Sequence, residues 1–121
     1  MTDQEVFDKV VLALRKQGRK STKLNRYGHR TCRYRGDYGR KCAAGHLIPD
    51  ELYDRRMEQL GWTSVVERWP ELQVMAIPNW LVCDLQAIHD NKPVQNWESC
   101  WQELANEHGL TYTPPERTNN D

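Results

Sequence analysis

The pattern that most constrains the fold is a complete helix signal in the first eighteen residues. Thr2 and Glu5 form the capping box Thr-x-x-Glu, and Gly18 is a helix stop. The apolar residues between them recur every three or four positions: Val6, Phe7, Val10, Val11 and Leu14. This spacing predicts an amphipathic helix that ends near residue 17 and must bury one face against the rest of the chain.

Four more helices are predicted from similar start and stop signals. Asp50 caps a segment that ends at Gly61, Thr63 caps a short helix ended by Pro70, and Asn79 and Asn96 begin the last two. Residues 18–31 lack a clear period and are predicted to be a loop. Alternation in residues 32–35, followed by turn residues 36–39, predicts one short β-hairpin near residues 32–42. The predicted fold class is therefore mainly α, a small domain of about five helices with this one hairpin.

The composition predicts one soluble domain. Hydrophobic residues make up 38% of the chain and charged residues 28%. No segment reaches the roughly 20 apolar residues of a membrane span, and the acidic, amphipathic first helix is unlike a signal peptide. We therefore predict a globular domain at residues 1–112, a disordered tail at 113–121, a cytoplasmic location and no membrane partner.

Positive charge is concentrated in one quarter of the chain. Between Arg15 and Lys41 there are eleven Lys and Arg residues against a single acid, Asp37. Such a segment can bind an acidic partner, and nucleic acid through residues 15–41 is one alternative for the function. Neutralisation by the acidic remainder of the chain is the other interpretation of the same pattern. If residues 32–35 form a strand, Arg33 and Arg35 lie opposite Tyr34, which favours phosphate contact over base stacking.

Cysteine and histidine residues raise two chemical possibilities. Cys32, Cys42 and His46 could supply zinc ligands, with Cys83 or His89 as the fourth. Their spacing lacks the close pairs of structural zinc sites, so we predict no metal and no cofactor. Cys42 beside basic residues, with His46, His89 and Asp90, has the residue types of a thiol enzyme. No nucleophile motif surrounds Cys42, and we predict no catalytic residue. A small Cys/His-dependent enzyme remains the second alternative.

Three motifs suggest an origin for the chain. They are C-x-Y-R from Cys32, G-x-x-C-A-x-G-x-L-I-P-D-E from Gly39, and L-Q-x-I-H-D from Leu85, followed by Trp97. In these motifs the chain resembles a group of small proteins from bacteriophages and prophage-carrying bacteria, to which no activity is assigned. The resemblance covers about residues 32–97 and excludes the basic run before Cys32. It implies an accessory protein that binds a host protein, such as a defence system, and inhibits or redirects it.

The leading hypothesis is therefore host-protein binding without catalysis. The abundance of tryptophan, five residues against one phenylalanine, agrees with an interaction role because Trp is favoured at interface anchors. We predict that the hairpin near 32–42 and the end of the helix at 79–90 form the partner surface. Its predicted residues are Arg33, Tyr34, Arg35, Asp37, Arg40, Lys41, His89 and Asp90.

Overall fold

The fold is known from a computed structural model that describes residues 1–116. Its α-helices are α1 (Asp3–Gln17), α2 (Trp62–Arg68), α3 (Asn79–Asn91) and α4 (Trp97–Glu107). Short 3-10 segments lie between them at Asp37–Gly39, Ala44–His46, Arg55–Met57, Pro70–Met75 and Val94–Asn96. One two-stranded antiparallel sheet accompanies them in the described residues. The predicted fold class, mainly α with one short hairpin, is confirmed.

Helix α1 forms as its sequence signal predicts. The Thr2 hydroxyl accepts a hydrogen bond from the Glu5 N–H (3.1 Å), and the Glu5 carboxylate accepts one from the Thr2 N–H (2.9 Å). Gly18 follows the helix with φ of 63°, a conformation that glycine adopts without a steric penalty. The predicted apolar face is buried.

The core lies where α1 and α4 pack on α3. Helix α3 contributes Leu81, Val82 and Leu85, and α4 contributes Trp97 and Trp101, which are 2% and 1% exposed. Tryptophan is therefore mainly a core residue here, with Trp62 also buried and Trp80 at the surface. Burying such large side chains compensates for the small number of other apolar residues.

The hairpin lies earlier in the chain than predicted. Strand β1 is Thr22–Leu24 and β2 is Arg30–Cys32, paired with Lys23 opposite Thr31. The Asn25 side chain closes the turn by accepting from the Tyr27 and His29 N–H groups (2.9 and 3.0 Å), and Gly28 has φ of 80°. The prediction of a hairpin near 32–42 placed it wrongly, because three-residue strands rich in charge show no readable alternation.

Residues 33–40 fold back over the base of β1 instead of forming a strand. A Cβ atom on Gly36 would lie 2.5 Å from Ser21 Oγ and 2.7 Å from the Thr22 backbone nitrogen. Only glycine allows this close approach of the two backbone segments. Arg33 and Arg35 are therefore not on one strand face, contrary to the prediction.

The predicted helix at residues 50–60 is replaced by turns and the 3-10 segment at Arg55–Met57. The backbone is extended at Asp54 and Glu58, and Gln59 has φ of 69°. Asp50 accepts hydrogen bonds from the side chains of Arg35 and Lys41. Tertiary contacts of Asp50 and Glu58 thus outweigh the helix propensity of the segment.

The C-terminal segment lies against α1 as far as it is described. Arg15 donates to the Thr113 carbonyl (2.9 Å), and the Tyr112 hydroxyl donates to Glu98 (2.6 Å). The predicted disordered tail at 113–121 falls mostly outside the described residues, which end at 116. Among residues 1–116, none of the helices combines the length and apolarity needed to cross a bilayer.

Candidate functional site

The carboxylate of Glu58 fixes the chain immediately after the hairpin. It accepts hydrogen bonds from the Tyr34 N–H (2.9 Å), the Arg35 N–H (3.0 Å) and the Tyr53 hydroxyl (2.6 Å). The Nε atom of Arg33 lies 3.2 Å from the same carboxylate, at ion-pair distance but outside hydrogen-bond geometry. The Glu58 side chain is only 6% exposed, so these interactions are shielded from water. No sequence motif indicates this role.

The side chain of Arg35 holds residues 45–50 through hydrogen bonds. Its guanidinium donates to the carbonyls of Gly45 (2.7 Å) and Ile48 (2.9 Å) and to the Asp50 carboxylate (3.1 Å). It also lies 4.7 Å from the centre of the Tyr53 ring. A hydrogen bond from Lys41, with the charges of Lys41 and Arg35, lowers the pKa of Asp50. The donors of Arg35 are thus used within the chain.

His89 is fully buried and joins α3 to the base of the hairpin. The Ser21 N–H donates to His89 Nε2 (3.0 Å), so Nδ1 carries the ring proton and donates to Asp90 Oδ1, 2.7 Å away. The same Asp90 oxygen accepts a hydrogen bond from the side-chain amide nitrogen of Gln86. The side-chain amide oxygen of Gln86 accepts one from the Ala44 N–H (2.9 Å). This network fixes the tautomer of His89 and holds both flanking loops on α3.

The residues that could ligate a metal meet at this point. Cys32, His89 and Asp90 place one ligand atom each within 4.8 Å of one another. A metal on Nδ1 of His89 would displace the proton that Nδ1 donates to Asp90. The neutral ring would then carry its proton on Nε2, where two donors, Nε2–H and the Ser21 N–H, would face each other. Ligating histidines normally direct their second nitrogen at an acceptor, not a donor. The donor set therefore does not fit a metal ion.

The cysteines near this cluster are poor nucleophiles. Burial raises the pKa of Cys42 to about 12, and its sulfur accepts a hydrogen bond from the Gly45 N–H. Burial, followed by the negative charge of Asp90, raises the pKa of Cys32 to about 11. Both lie beside a cleft of about 250 Å³ that Glu58 and Asp90 also line. Thiols held protonated at neutral pH do not support the Cys/His enzyme alternative.

His46 gives this region a predicted dependence of stability on pH. Burial, with the positive charges of Lys41 and Arg35, lowers the pKa of His46 from 6.5 to about 4. The unfolded chain therefore binds a proton between these values that the folded chain does not, and stability falls as pH drops from 6.5 towards 4. Allowing for partial exposure, we expect a loss of about 1 kcal/mol from this group.

The measurement is urea unfolding at about pH 7.5 and about pH 4.5. His46→Gln should lose about 1 kcal/mol less between the two pH values than the wild type does. His29→Gln, at the exposed hairpin turn, is the matched control and should behave as the wild type. An unchanged pH dependence in His46→Gln would contradict the assignment.

The basic segment divides into neutralised and unneutralised residues. Five of its eleven basic residues form ion pairs, namely Arg15–Glu98, Arg30–Asp37, Arg33–Glu58, Arg35–Asp50 and Lys41–Asp50. Within residues 1–116 the other six have no carboxylate partner: Lys16, Arg19, Lys20, Lys23, Arg26 and Arg40. Self-neutralisation therefore accounts for part of the segment and leaves a positive region around the hairpin.

This region also exposes aromatic rings. Tyr27 at the hairpin turn is 72% exposed and Tyr38 is 87% exposed. The guanidinium carbon of Arg26 lies 5.2 Å from the centre of the Tyr27 ring, and that of Arg40 lies 5.0 Å from the Tyr38 ring. Charge and aromatic surface thus do occur together, contrary to the strand-based prediction. The prediction of a loop at residues 18–31 missed this turn, for which Asn25 and Gly28 are the turn-forming residues in the sequence.

The structure separates the eight residues of the predicted partner surface. Tyr34 and His89 are buried, while Arg33 and Arg35 are partly buried and held by contacts within the chain. The partly exposed members are Asp37, Arg40, Lys41 and Asp90. Asp37 pairs with Arg30 (3.0 Å) and so connects the turn at 37–39 to the hairpin. The more exposed surface is the hairpin itself, which the prediction did not include.

Comparison with known proteins does not assign a family. No protein-family model, curated protein or solved structure matches the chain. The resemblance to bacteriophage and prophage proteins therefore stays a prediction.

Proposed function

We propose that this chain is a non-catalytic nucleic-acid-binding protein. The contact surface is the hairpin arm, residues 22–32, together with the adjoining turn at 36–40. The observation that carries the proposal is that two arginines without a carboxylate partner in the described chain, Arg26 and Arg40, lie beside the exposed rings of Tyr27 and Tyr38. Lys23 adds a third positive charge without a carboxylate partner on the same arm. Uncompensated positive charge around exposed rings is typical of surfaces that contact phosphates and bases.

The internal contacts of the neighbouring residues support this surface. The Ser21–His89 hydrogen bond holds the start of the arm on α3, and the Glu58 carboxylate holds the backbone directly after it. The arm therefore extends from two fixed points, and its turn is closed by Asn25. Because the arm is positioned in the free protein, binding costs less conformational entropy than ordering a mobile basic loop.

The test compares two variants that remove the same charge. The arm variant replaces four basic residues without a carboxylate partner in the described chain by glutamine: Lys23, Arg26 and Arg40 of the contact surface, and Arg19, which precedes the arm. The control variant replaces four exposed basic residues outside this surface by glutamine: Lys9, Arg55, Arg68 and Lys92. Fluorescence anisotropy with labelled oligonucleotides at about 50 mM salt measures the affinity of each.

We expect the arm variant to bind about tenfold or more weakly than wild type, because each lost phosphate contact reduces affinity for every sequence. The control variant should stay within about threefold of wild type, since its net charge is equal but its arm is intact. Equal losses in both variants would contradict the surface assignment. No binding by the wild type would reject nucleic acid as the ligand.

The host-protein partner implied by the resemblance remains a separate prediction. Several of its proposed contact residues are engaged within the chain, as Tyr34, Arg35 and His89 show. Affinity purification with and without nuclease distinguishes the two ideas. A partner that stays bound after nuclease treatment, and is lost in the arm variant, would favour a host protein on the same surface.

A further inference from the structure

We propose that the ligand of the hairpin arm is single-stranded nucleic acid, with unpaired bases stacked on Tyr27 and Tyr38. The inference rests on the proposed function and names its substrate class. The shared chemistry is a single strand of either RNA or DNA, in which the base faces are free to stack.

Tyr27 is presented at the end of the arm by a turn of fixed geometry. Its N–H donates to the Asn25 side chain (2.9 Å), and the Gly28 N–H donates to the Asn25 carbonyl (3.0 Å). The ring itself is 72% exposed, and its neighbour Arg26 approaches it within cation–π distance. A ring held on a rigid turn, with a guanidinium beside it, is suited to stack a base and contact the adjoining phosphate.

Tyr38 is an independent observation because its backbone is strained. It has φ of 60° and ψ of 29°, a left-handed conformation that disfavours a residue with a bulky side chain. The conformation is imposed by the surrounding contacts: the Gly36 N–H donates to the Arg40 carbonyl (2.9 Å), and Asp37 pairs with Arg30. Glycine or asparagine would fit this position at lower cost.

The Tyr38 ring gains little within the chain in return for this strain. It is 87% exposed and contacts the guanidinium of Arg40. Backbone strain at an exposed aromatic residue does not stabilise the fold, and it fits a ring that is presented to a ligand. Its neighbouring arginine repeats the arrangement of Tyr27 with Arg26.

Two exposed rings favour a single strand over a duplex. In a duplex the base faces are stacked within the helix, and only their edges are reached from a groove. A tyrosine ring stacks on a free base face and tolerates any sequence. A β-hairpin can also enter the major groove, so duplex binding is the outcome that the experiment must be able to detect.

The experiment measures anisotropy with single-stranded DNA, single-stranded RNA and duplex DNA of about 12 nucleotides. The test variant is Tyr27→Ser with Tyr38→Asn, since asparagine accepts the left-handed backbone. The rescue variant is Tyr27→Phe with Tyr38→Phe, which keeps both rings. Trp80→Ala is the matched aromatic control, because Trp80 is 39% exposed and packs against His108 in a tilted arrangement, outside the arm.

We expect wild type to bind at least one single strand about tenfold or more tightly than the duplex. The Ser/Asn variant should lose roughly 30-fold, the combined effect of two stacked bases, while its Tm stays equal to or above that of wild type. The Phe variant and Trp80→Ala should stay within about threefold.

The outcomes separate this inference from the proposed function. Equal or tighter duplex binding would overturn the single-strand inference, as would an unchanged affinity in the Ser/Asn variant. If the arm variant still loses affinity in either case, the proposed function stands without the stacking. If no oligonucleotide binds the wild type, both are rejected. Tighter binding to RNA alone or to DNA alone supports the inference and identifies which strand the surface prefers.

Discussion

Replacing Gly45 by alanine is expected to destabilise the protein by about 3 kcal/mol, at the upper end of the usual cost of overpacking. A Cβ atom at Gly45 would lie 2.3 Å from the Tyr34 carbonyl oxygen and 3.2 Å from Lys41 Cβ. The Tyr34 backbone cannot move away easily, because its N–H is held by Glu58. The usual benefit of a Gly→Ala change, a less flexible unfolded chain, is smaller than this clash.

The matched control for Gly45 is Gly61→Ala. A Cβ atom at Gly61 meets no other atom within 4 Å, and the backbone φ of −67° is allowed for alanine. Its free energy of unfolding should change by less than about 1 kcal/mol. Urea unfolding compares the two variants with wild type. A Gly45→Ala protein as stable as Gly61→Ala would show that the two backbone segments are not packed as described.

Replacing Glu58 by alanine is expected to cost about 3 kcal/mol of unfolding free energy. The change leaves the N–H groups of Tyr34 and Arg35 and the Tyr53 hydroxyl without their acceptor. It also leaves Arg33, whose side chain is 23% exposed, without its carboxylate. Removing one partner of a shielded charged network costs more than the network contributes, because the remaining groups stay desolvated.

Two further variants make the Glu58 result specific. Glu58→Gln keeps one acceptor oxygen and should fall between wild type and Glu58→Ala in urea unfolding. Glu51→Ala removes an equal charge from an exposed residue and should change stability by less than about 0.5 kcal/mol. If Glu58→Ala and Glu51→Ala were equally stable, the carboxylate would not be what fixes the chain after the hairpin.

The helices that pack on each other could be predicted because their signals are local. Helix α1 follows from the capping box of Thr2 and Glu5 and from its apolar face. Helix α4 follows from Trp97, Trp101 and Leu104 on one side, with the chain turning at Gly109. In both, local propensity and burial favour the same structure, so periodicity alone is sufficient.

The segment from residue 18 to residue 60 could not be predicted, because its structure depends on distant partners. The hairpin is anchored through Ser21 to His89, which is 68 residues away in the chain. The helix expected after Asp50 does not form, because Asp50 and Glu58 accept hydrogen bonds from residues in the segment 33–41. Contacts between residues so far apart leave no periodic pattern, and charged side chains appear the same whether paired or exposed.

The structure also gives packing roles to residues of the three sequence motifs. Gly45 allows close packing against the Tyr34 backbone. Arg35 donates hydrogen bonds to the carbonyls of Gly45 and Ile48, and the sulfur of Cys42 accepts one from the Gly45 N–H. Gln86 and His89 anchor the same region to α3. The motifs that suggested a bacteriophage origin thus describe a framework. The exposed basic arm lies largely before them, so a protein could keep this framework while presenting a different surface.

The salt dependence of the affinity shows whether the hairpin arm contacts the phosphates of a nucleic acid. If four basic side chains contact phosphates, a plot of the logarithm of the affinity against the logarithm of the salt concentration has a slope of about −3. Wild type and the control variant should therefore weaken roughly 50-fold between about 50 and about 200 mM salt, while the arm variant should show a slope near zero. A salt-independent affinity in wild type, or the same slope in the arm variant as in the control variant, would contradict nucleic-acid binding by the arm.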